Sequence, residues 1–289
     1  MPFYPKVFEL EISSSSLPFR LSLVDIDALK PHEEIVESSV RSLANDILTQ
    51  GEVRDPLMVD RDDYVILDGM HRYNSLKTLR CRFAPCCLLD YDNPKIKVGS
   101  WFRLFVVNEA DSTAETLLGQ ENLDYSKLRI KLDDASHSRQ VIIMTADGTV
   151  FSLSGKVDTV KRARTAVLLE KEMVKKGYAV EYLSEIGALE RLKSKDATFV
   201  ISLPIFTKQE IRECGLRGDL LPHKATRHVI PSRPLRIDVP LPMLRDATIS
   251  LTEADHQLHE LLARKHMEIR PPGSIMEGRR YDEELLVFS

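Results

Sequence analysis

The residues best suited to chemistry in this chain stand together at Asp68-Gly69-Met70-His71-Arg72. An apolar strand, Tyr64-Val65-Ile66-Leu67, runs into Asp-Gly, and a helix opens at once with His-Arg. Such a turn suits a phosphate. Gly69 lets the backbone come close to an anion, the first N–H groups of the helix point at it, and the helix dipole favours its negative charge. His71 and Arg72 add side-chain donors, and Asp68, at the strand's end, is placed to hold a metal ion or a proton beside the phosphates. Asp-Gly by itself reads as an ordinary strand-turn-helix; with His and Arg in the first turn, the anion site is the better reading.

The order Asp-Gly-x-His-Arg after a β-hairpin resembles the ParB/sulfiredoxin-like fold, whose members bind nucleotide phosphates at this turn. That resemblance implies an α+β protein: a ParB/sulfiredoxin-like nucleotide-binding domain with a second α+β lobe. It names a fold and not an activity. Two further segments narrow it, Lys30-Pro31-His32-Glu33 before the first long helix and Lys224-Ala225-Thr226-Arg227-His228-Val229-Ile230-Pro231 far downstream. With Trp101 a short distance past the turn helix, they make the chain from about Leu23 to Leu244 resemble the free serine kinases, which phosphorylate L-serine to O-phospho-L-serine. The segment past Asp246 looks closest to the siderophore-associated bacterial members.

This resemblance implies Glu33 and Asp68 as catalytic residues, with Asp68 also a metal ligand. It implies Gly69, Met70, His71 and Arg72 around the nucleotide phosphates, and Trp101, Thr226, Arg227 and His228 around serine. The implied cofactors are Mg²⁺ and a nucleotide donor, ATP or ADP; the look of the C-terminal segment favours ATP. One departure is Met70, where many relatives have a second histidine. A ring contact to phosphate would be lost here, whereas a backbone N–H contact would not.

The residues themselves support these roles unequally. Phosphoryl transfer needs the donor phosphates held, their charge neutralised and the acceptor hydroxyl aligned. A carboxylate near the acceptor can take its proton, and Glu33 is the candidate, with Glu34 its neighbouring competitor. Glu is common at helix N-termini simply because it complements the dipole; the kinase resemblance reverses that ranking. Thr226, Arg227 and His228 can donate to an amino-acid carboxylate, although Thr-Arg-His alone reads as a solvated loop. A single tryptophan is usually core packing, and the resemblance makes Trp101 a pocket wall instead.

Composition sets bounds on the alternatives. The 289 residues are 43% hydrophobic and 29% charged, as in a soluble globular protein. A formal net charge of −4 gives no general attraction to nucleic acid, so the expected partners are L-serine and a nucleotide. A rival reading is a ParB-like nucleotide-dependent binding or regulatory protein without kinase activity. It would need a helix-turn-helix, whereas the downstream pattern is hairpins alternating with charged helices. No apolar run approaches a membrane span, and Lys6 and Glu9 interrupt any signal-peptide core; a cytoplasmic protein without membrane contact is expected. Cys81, Cys86, Cys87 and Cys214 show no zinc spacing. Sulfiredoxin chemistry would need a cysteine where Met70 or His71 stands.

The elements that must position these residues follow from periodicity and turn signals. A first strand is expected over Leu21–Ile26, then a helix carrying Val36, Val40, Leu43, Ala44, Ile47 and Leu48 and ended by Gly51. A hairpin follows, Pro56–Asp60 and Tyr64–Asp68, then the turn helix to about Leu79 and a buried strand at Pro85–Asp90. A second region begins after Trp101. Ala110–Ser138 reads as loop or short helices, Arg139–Ser154 as a hairpin turning at Asp147-Gly148, and Asp158–Lys176 as a charged helix ended by Gly177. Strand, helix, strand and helix continue at Tyr178–Leu183, Ser184–Ser194, Ala197–Leu203 and Lys208–Leu216. A helix at Thr252–Met267, with His256, His259 and His266 as polar shoulders, and a strand at Glu283–Phe288 close the chain. The expected domains are 1–105 for the nucleotide, 106–220 for the second lobe, 221–245 returning to complete the substrate pocket, and 246–289 as a helical extension.

Overall fold

The computed structural model describes residues 17–107, 114–120, 123–131, 138–153 and 158–289, which fall into two compact units. The first draws on residues up to 97, on 208–220 and on 228–289; the second on 98–207 and 221–227.

The first unit begins with β1 (Phe19–Asp25) and α1 (Glu37–Gln50), whose buried Val40, Ala44 and Ile47 recur at helical spacing. Gly51 stops this helix in the left-handed region, at φ 76°. Next come β2 (Leu57–Asp60), β3 (Ile66–Asp68), α2 (Met70–Thr78) and β4 (Phe83–Leu89). The sheet order is β1-β4-β2-β3, with β2 and β4 parallel and the other neighbours antiparallel. Parallel strands cannot be joined by a tight hairpin, so β3 and α2 together form the crossover. Every residue of β2 is buried, and of β4 only Leu88 is not, as expected where both faces of a sheet are covered. Tyr64, expected to start the second strand, sits instead in the left-handed region at φ 57° and closes the hairpin turn.

The second unit holds β5 (Phe102–Phe105), α3 (Ala114–Gln120), β6 (Tyr125–Leu128), β7 (Ile142–Thr145) and β8 (Val150–Leu153). It continues with α4 (Thr159–Lys175), β9 (Glu181–Leu183), α5 (Glu185–Lys193) and β10 (Phe199–Ser202). The strands make one antiparallel sheet in the order β9-β5-β10-β7-β8-β6. Asp158 and Ser184 cap α4 and α5 through their side chains. Phe102, Leu104, Ile142, Met144, Val150 and Val200 pack under Ala188, Leu189 and Leu192 of α5. The hairpin turning at Asp147-Gly148 and both capped helices match the sequence pattern. Strand β5 does not, because Arg103 interrupts an apolar run that otherwise reads as core. Of Ala110–Ser138, residues 110–113, 121–122 and 132–137 lie outside the described part; α3 and β6 occupy the rest.

The chain re-enters the first unit with α6 (Lys208–Arg217), then β11 (Arg233–Leu235), α7 (Leu251–Ala263), β12 (Met267–Arg270) and β13 (Leu285–Phe288). These boundaries differ from those expected. Helix α6 belongs to the first unit, held by Arg212, whose Nε is 2.8 Å from Asp60 and 3.1 Å from Asp63. The C-terminal segment is not only helical: β13 pairs in parallel with β11 and antiparallel with β12. The last helix ends at Ala263, short of Met267, because the backbone of Met267 onward is claimed by β13. Among the described residues no helix is long and apolar enough to cross a membrane.

Helix α6 approaches the β2–β3 hairpin closely. A Cβ at Gly215 would lie 2.9 Å from both Cγ atoms of Val65, whose branched side chain is stiff about χ1. Replacing Gly by Ala within a helix normally stabilises by about 1 kcal/mol, but overpacking costs about 1–3 kcal/mol. Gly215→Ala is therefore expected to lower the urea midpoint with the m-value unchanged. A midpoint that holds or rises would show that the contact yields more easily than the propensity gain.

Candidate active site

Gly69 initiates α2 from the left-handed region, at φ 107°. The conformation favours glycine, and a Cβ there would crowd the side chains of Leu57 (Cδ2 at 2.6 Å) and Arg72 (Nη1 at 3.1 Å). The helical ladder starts with Tyr73 N–H donating to Gly69 C=O at 2.8 Å. The N–H groups of Met70, His71 and Arg72 thus precede the ladder, at the positive end of the helix dipole. Met70 buries its side chain, which leaves its N–H as what it offers an anion. The side chains of His71 and Arg72 are engaged by protein: His71 Nε2 accepts from Val36 N–H at 3.1 Å, and Arg72 Nη1 donates to Pro56 C=O at 2.9 Å. A phosphate-binding role at this turn therefore rests first on backbone donors.

Asp68 ends β3 directly before this turn. Its Oδ2 accepts from Arg233 Nη1, and the side chain keeps 37% of its surface exposed. Desolvation alone would raise its pKa, but Arg233, Arg279 and Arg72 outweigh it and hold the carboxyl well below the usual carboxylate range. A carboxylate held so firmly ionised suits a cation better than a proton. Arg233 is itself buried, at 4% exposure. Its Nε donates to Glu283 at 2.8 Å and its Nη2 to the carbonyl of His228 at 3.1 Å. Desolvation would lower its pKa, yet Asp68 and Glu283 keep it raised. Neither Arg233 nor Glu283 stood out in the sequence. Ser232, at φ 57°, presents Arg233 and is held by its own Oγ bond to Glu284.

Glu33 lies in the loop ahead of α1, whose first turn takes Glu37 as its acidic residue. The helix dipole therefore does not account for Glu33. His32, fully buried, donates from Nδ1 to the carbonyl of Ile66 at 2.6 Å, two residues before Asp68. Together with the Val36–His71 bond, this ties the Glu33 loop to both sides of the Asp-Gly turn. The His228 ring stands edge-on to His32, with centroids 5.9 Å apart at 83°.

In the second unit, Trp101 is flanked by Lys224 Nζ at 4.4 Å and the Arg227 guanidinium at 5.5 Å from its ring centroid. Thr226 is buried beside them in sequence. The segment 221–227 is held by Arg103, which has no exposed surface and donates to the carbonyls of Trp101 (3.1 Å), Lys224 (3.3 Å) and His223 (2.8 Å). Its Nε pairs with Glu170 at 2.6 Å, and Glu170 also accepts from the Tyr182 hydroxyl. An arginine inside the run Trp-Phe-Arg-Leu-Phe was the available signal for this network. Thus Glu33, Asp68, the turn and His228 fall in the first unit, and Trp101, Thr226 and Arg227 in the second.

Fold and turn together give an α+β protein, with a mixed four-stranded sheet and the Gly69 turn in the first unit and an antiparallel sheet with helices in the second. No family model matches the chain. Over 222 residues it is 26% identical to the ADP-dependent L-serine kinase SerK of Thermococcus kodakarensis, covering 75% of this chain and 90% of that one. Over 251 residues it is 27% identical to the ATP-dependent L-serine kinase of Desulfurococcus mucosus, covering 82% and 96%. A solved free serine kinase in complex with AMP shares the fold with a TM-score of 0.63 at 25% identity, over 83% of this chain and 98% of that one. The resemblance carried by three short segments and Trp101 therefore extends along most of the sequence.

The two buried histidines make a test of this cluster. Burial lowers the pKa of His32 to about 4, and burial with the neighbouring His32 lowers that of His228 to about 3. An unfolded histidine titrates at about 6.5, so between these values the unfolded chain binds protons that the fold refuses. Stability then rises with pH across this window and is lost on acidification. Denaturant titrations are expected to show a falling midpoint from about pH 6.5 to 4, with the pair contributing up to about two protons taken up on unfolding. A His32→Asn/His228→Asn protein should show a shallower dependence; an equal slope would mean that the rings titrate in the folded state.

Proposed function

We propose that this protein is a free L-serine kinase, a phosphotransferase that moves a phosphoryl group from a nucleotide to the hydroxyl of L-serine and yields O-phospho-L-serine. The observation that carries it is the Gly69 turn, with Asp68 before it and backbone donors after it, in a chain similar to L-serine kinases over three quarters or more of its length. The serine oxygen bonds to phosphorus as the bond from phosphorus to the leaving nucleotide oxygen breaks, and the hydroxyl proton passes to Glu33. The N–H groups of Met70, His71 and Arg72 hold phosphate oxygens. Thr226, Arg227 and His228 bind the amino acid, with Trp101 as an apolar wall. Donor choice is proposed as ATP, from the look of the C-terminal segment; ADP is the alternative.

Among the described residues no group of three or more His, Cys, Asp or Glu side chains is gathered to hold a metal. Kinases commonly bind Mg²⁺ through one or two carboxylates plus substrate phosphates and water, and Asp68, kept ionised, is the residue proposed to supply a carboxylate. The ion's contribution would be to neutralise phosphate charge.

Incubating the protein with L-serine, Mg²⁺ and either ATP or ADP should give O-phosphoserine, read by phosphorus NMR or mass spectrometry. Glu33→Gln is expected to leave nucleotide affinity nearly intact while turnover falls by about two to four orders of magnitude. Near-normal turnover at saturating serine would move the base to Glu34. A protein that binds nucleotide yet forms no product with either donor would favour the regulatory reading.

Arg227→Ala is expected to raise the Michaelis constant for serine more than that for nucleotide, by about tenfold or more, since it leaves a substrate carboxylate without its bidentate donor. Loss of nucleotide affinity with serine dependence unchanged would place Arg227 on the phosphates instead.

A further inference from the structure

Deep in the first unit the hydroxyl of Tyr91 lies 2.8 Å from Nε2 of His228. Tyr91 is fully buried, and His228 is 5% exposed. Burial pushes the phenol pKa well above its ordinary value, so Tyr91 keeps its proton; the depressed His228 pKa keeps the imidazole neutral. A neutral imidazole has one donor and one acceptor nitrogen, and two arrangements of this contact follow.

In one, Nε2–H donates to the phenol oxygen. The phenol proton then needs another acceptor, yet among the described residues Tyr91 makes no other hydrogen bond, and the polar groups over its ring, Lys208 Nζ and the Arg212 guanidinium at 5.4 Å from its centroid, are donors only. The buried Nδ1 would also be an acceptor without a donor. In the other, Tyr91 O–H donates to Nε2 and the imidazole proton sits on Nδ1. One buried group, Nδ1–H, then lacks a partner among the described residues. Each buried unmade hydrogen bond is costly, so the second arrangement wins. The neighbouring ring does not change this, because His32 spends its own Nδ1–H on the Ile66 carbonyl.

We propose that Tyr91 is a positioning residue that fixes His228 as the Nδ1–H tautomer, so that its ring offers a single neutral donor to the carboxylate of the bound amino acid. The acceptor's identity rests on the serine-kinase reading; the tautomer does not. Without the phenol, the ring would be free to present a lone pair to that carboxylate, which repels it. A buried N–H without a protein acceptor is a group whose partner is supplied by ligand or water, and Arg233, holding the His228 carbonyl at 3.1 Å, fixes the backbone from which the ring projects.

The test uses the full chain labelled with ¹⁵N-histidine. Long-range ¹H–¹⁵N correlation spectra of the wild-type protein should show His228 protonated at Nδ1, and serine should shift that resonance; protonation at Nε2 overturns the proposal. In Tyr91→Phe the tautomer should become mixed, and the Michaelis constant for serine should rise by about tenfold while that for nucleotide changes by less than about twofold. A change in nucleotide constant instead, or a lower melting temperature with the serine constant unmoved, overturns it. Should Tyr91→Phe fail to fold, His228→Asn, whose amide nitrogen can stand near Nδ1, should bind serine better than His228→Gln, whose nitrogen reaches toward Nε2; the opposite order overturns it. If the wild-type protein phosphorylates no serine, the kinase reading fails separately, and the spectra still decide the tautomer.

Discussion

A single buried guanidinium holds the first unit's site together. Arg233 donates to Asp68 at the end of a central strand, to Glu283 before the last strand, and to the carbonyl of His228. Burying a charge is costly unless it is paired and its donors are used, and here each of the three guanidinium nitrogens has a named partner. The consequence is structural before it is chemical. Residues far apart in sequence must reach their places together or leave an uncompensated charge, which costs about 3–5 kcal/mol when one partner of a buried pair is removed. The C-terminal segment is therefore part of the site's construction: its last strand pairs with Arg233–Leu235, and its Glu283 balances the charge that Asp68 alone would have to meet.

The second unit solves a related problem with the same residue type. Segment 221–227 is irregular, and irregular backbone has carbonyls that no ladder satisfies. Arg103 takes those of His223 and Lys224 along with that of Trp101, while Glu170 neutralises it. Lysine, with three donors on a point charge, cannot span three carbonyls and a carboxylate in a planar fork. In each unit a buried arginine fixes backbone carbonyls next to a candidate site residue: Arg103 holds those of His223 and Lys224, and Arg233 holds that of His228, which itself lies in a short strand, Arg227–Val229.

What could be read from the sequence was what local rules specify. Gly51 ended its helix, Asp-Gly marked the strand-to-helix turn, Asp147-Gly148 the hairpin, and the apolar spacing of α1 its buried face. What could not be read was set by tertiary pairing. Met267 to Arg270 carries no strong strand signal and becomes a strand because β13 offers an edge. Arg103 breaks an apolar run and hid β5, since an arginine in that position is usually solvated and only the carbonyls of a distant segment make its burial tolerable. Arg233 and Glu283 stand fifty residues apart with nothing local to relate them. His71 and Arg72 were read as side-chain donors, yet the first accepts a backbone N–H and the second caps a carbonyl; the type of a residue gives its capacity, and only its neighbours say how that capacity is used.

The division of labour between the two carboxylates of the proposed reaction follows from the same arginine. A general base must change its charge during the reaction. Protonating Asp68 would remove one of the two anions that compensate Arg233, inside a pocket where Arg279 and Arg72 add further positive charge, so the cluster resists that change strongly. Asp68 is thus suited to stay an anion throughout, whether it faces a cation or simply orders the turn. Glu33 lies in a loop tied to the Asp-Gly turn through the His32 and Val36 contacts. The anions paired with Arg233 are Asp68 and Glu283. In the proposed reaction Asp68 therefore serves as the fixed charge, and Glu33 is the carboxylate proposed to take the proton.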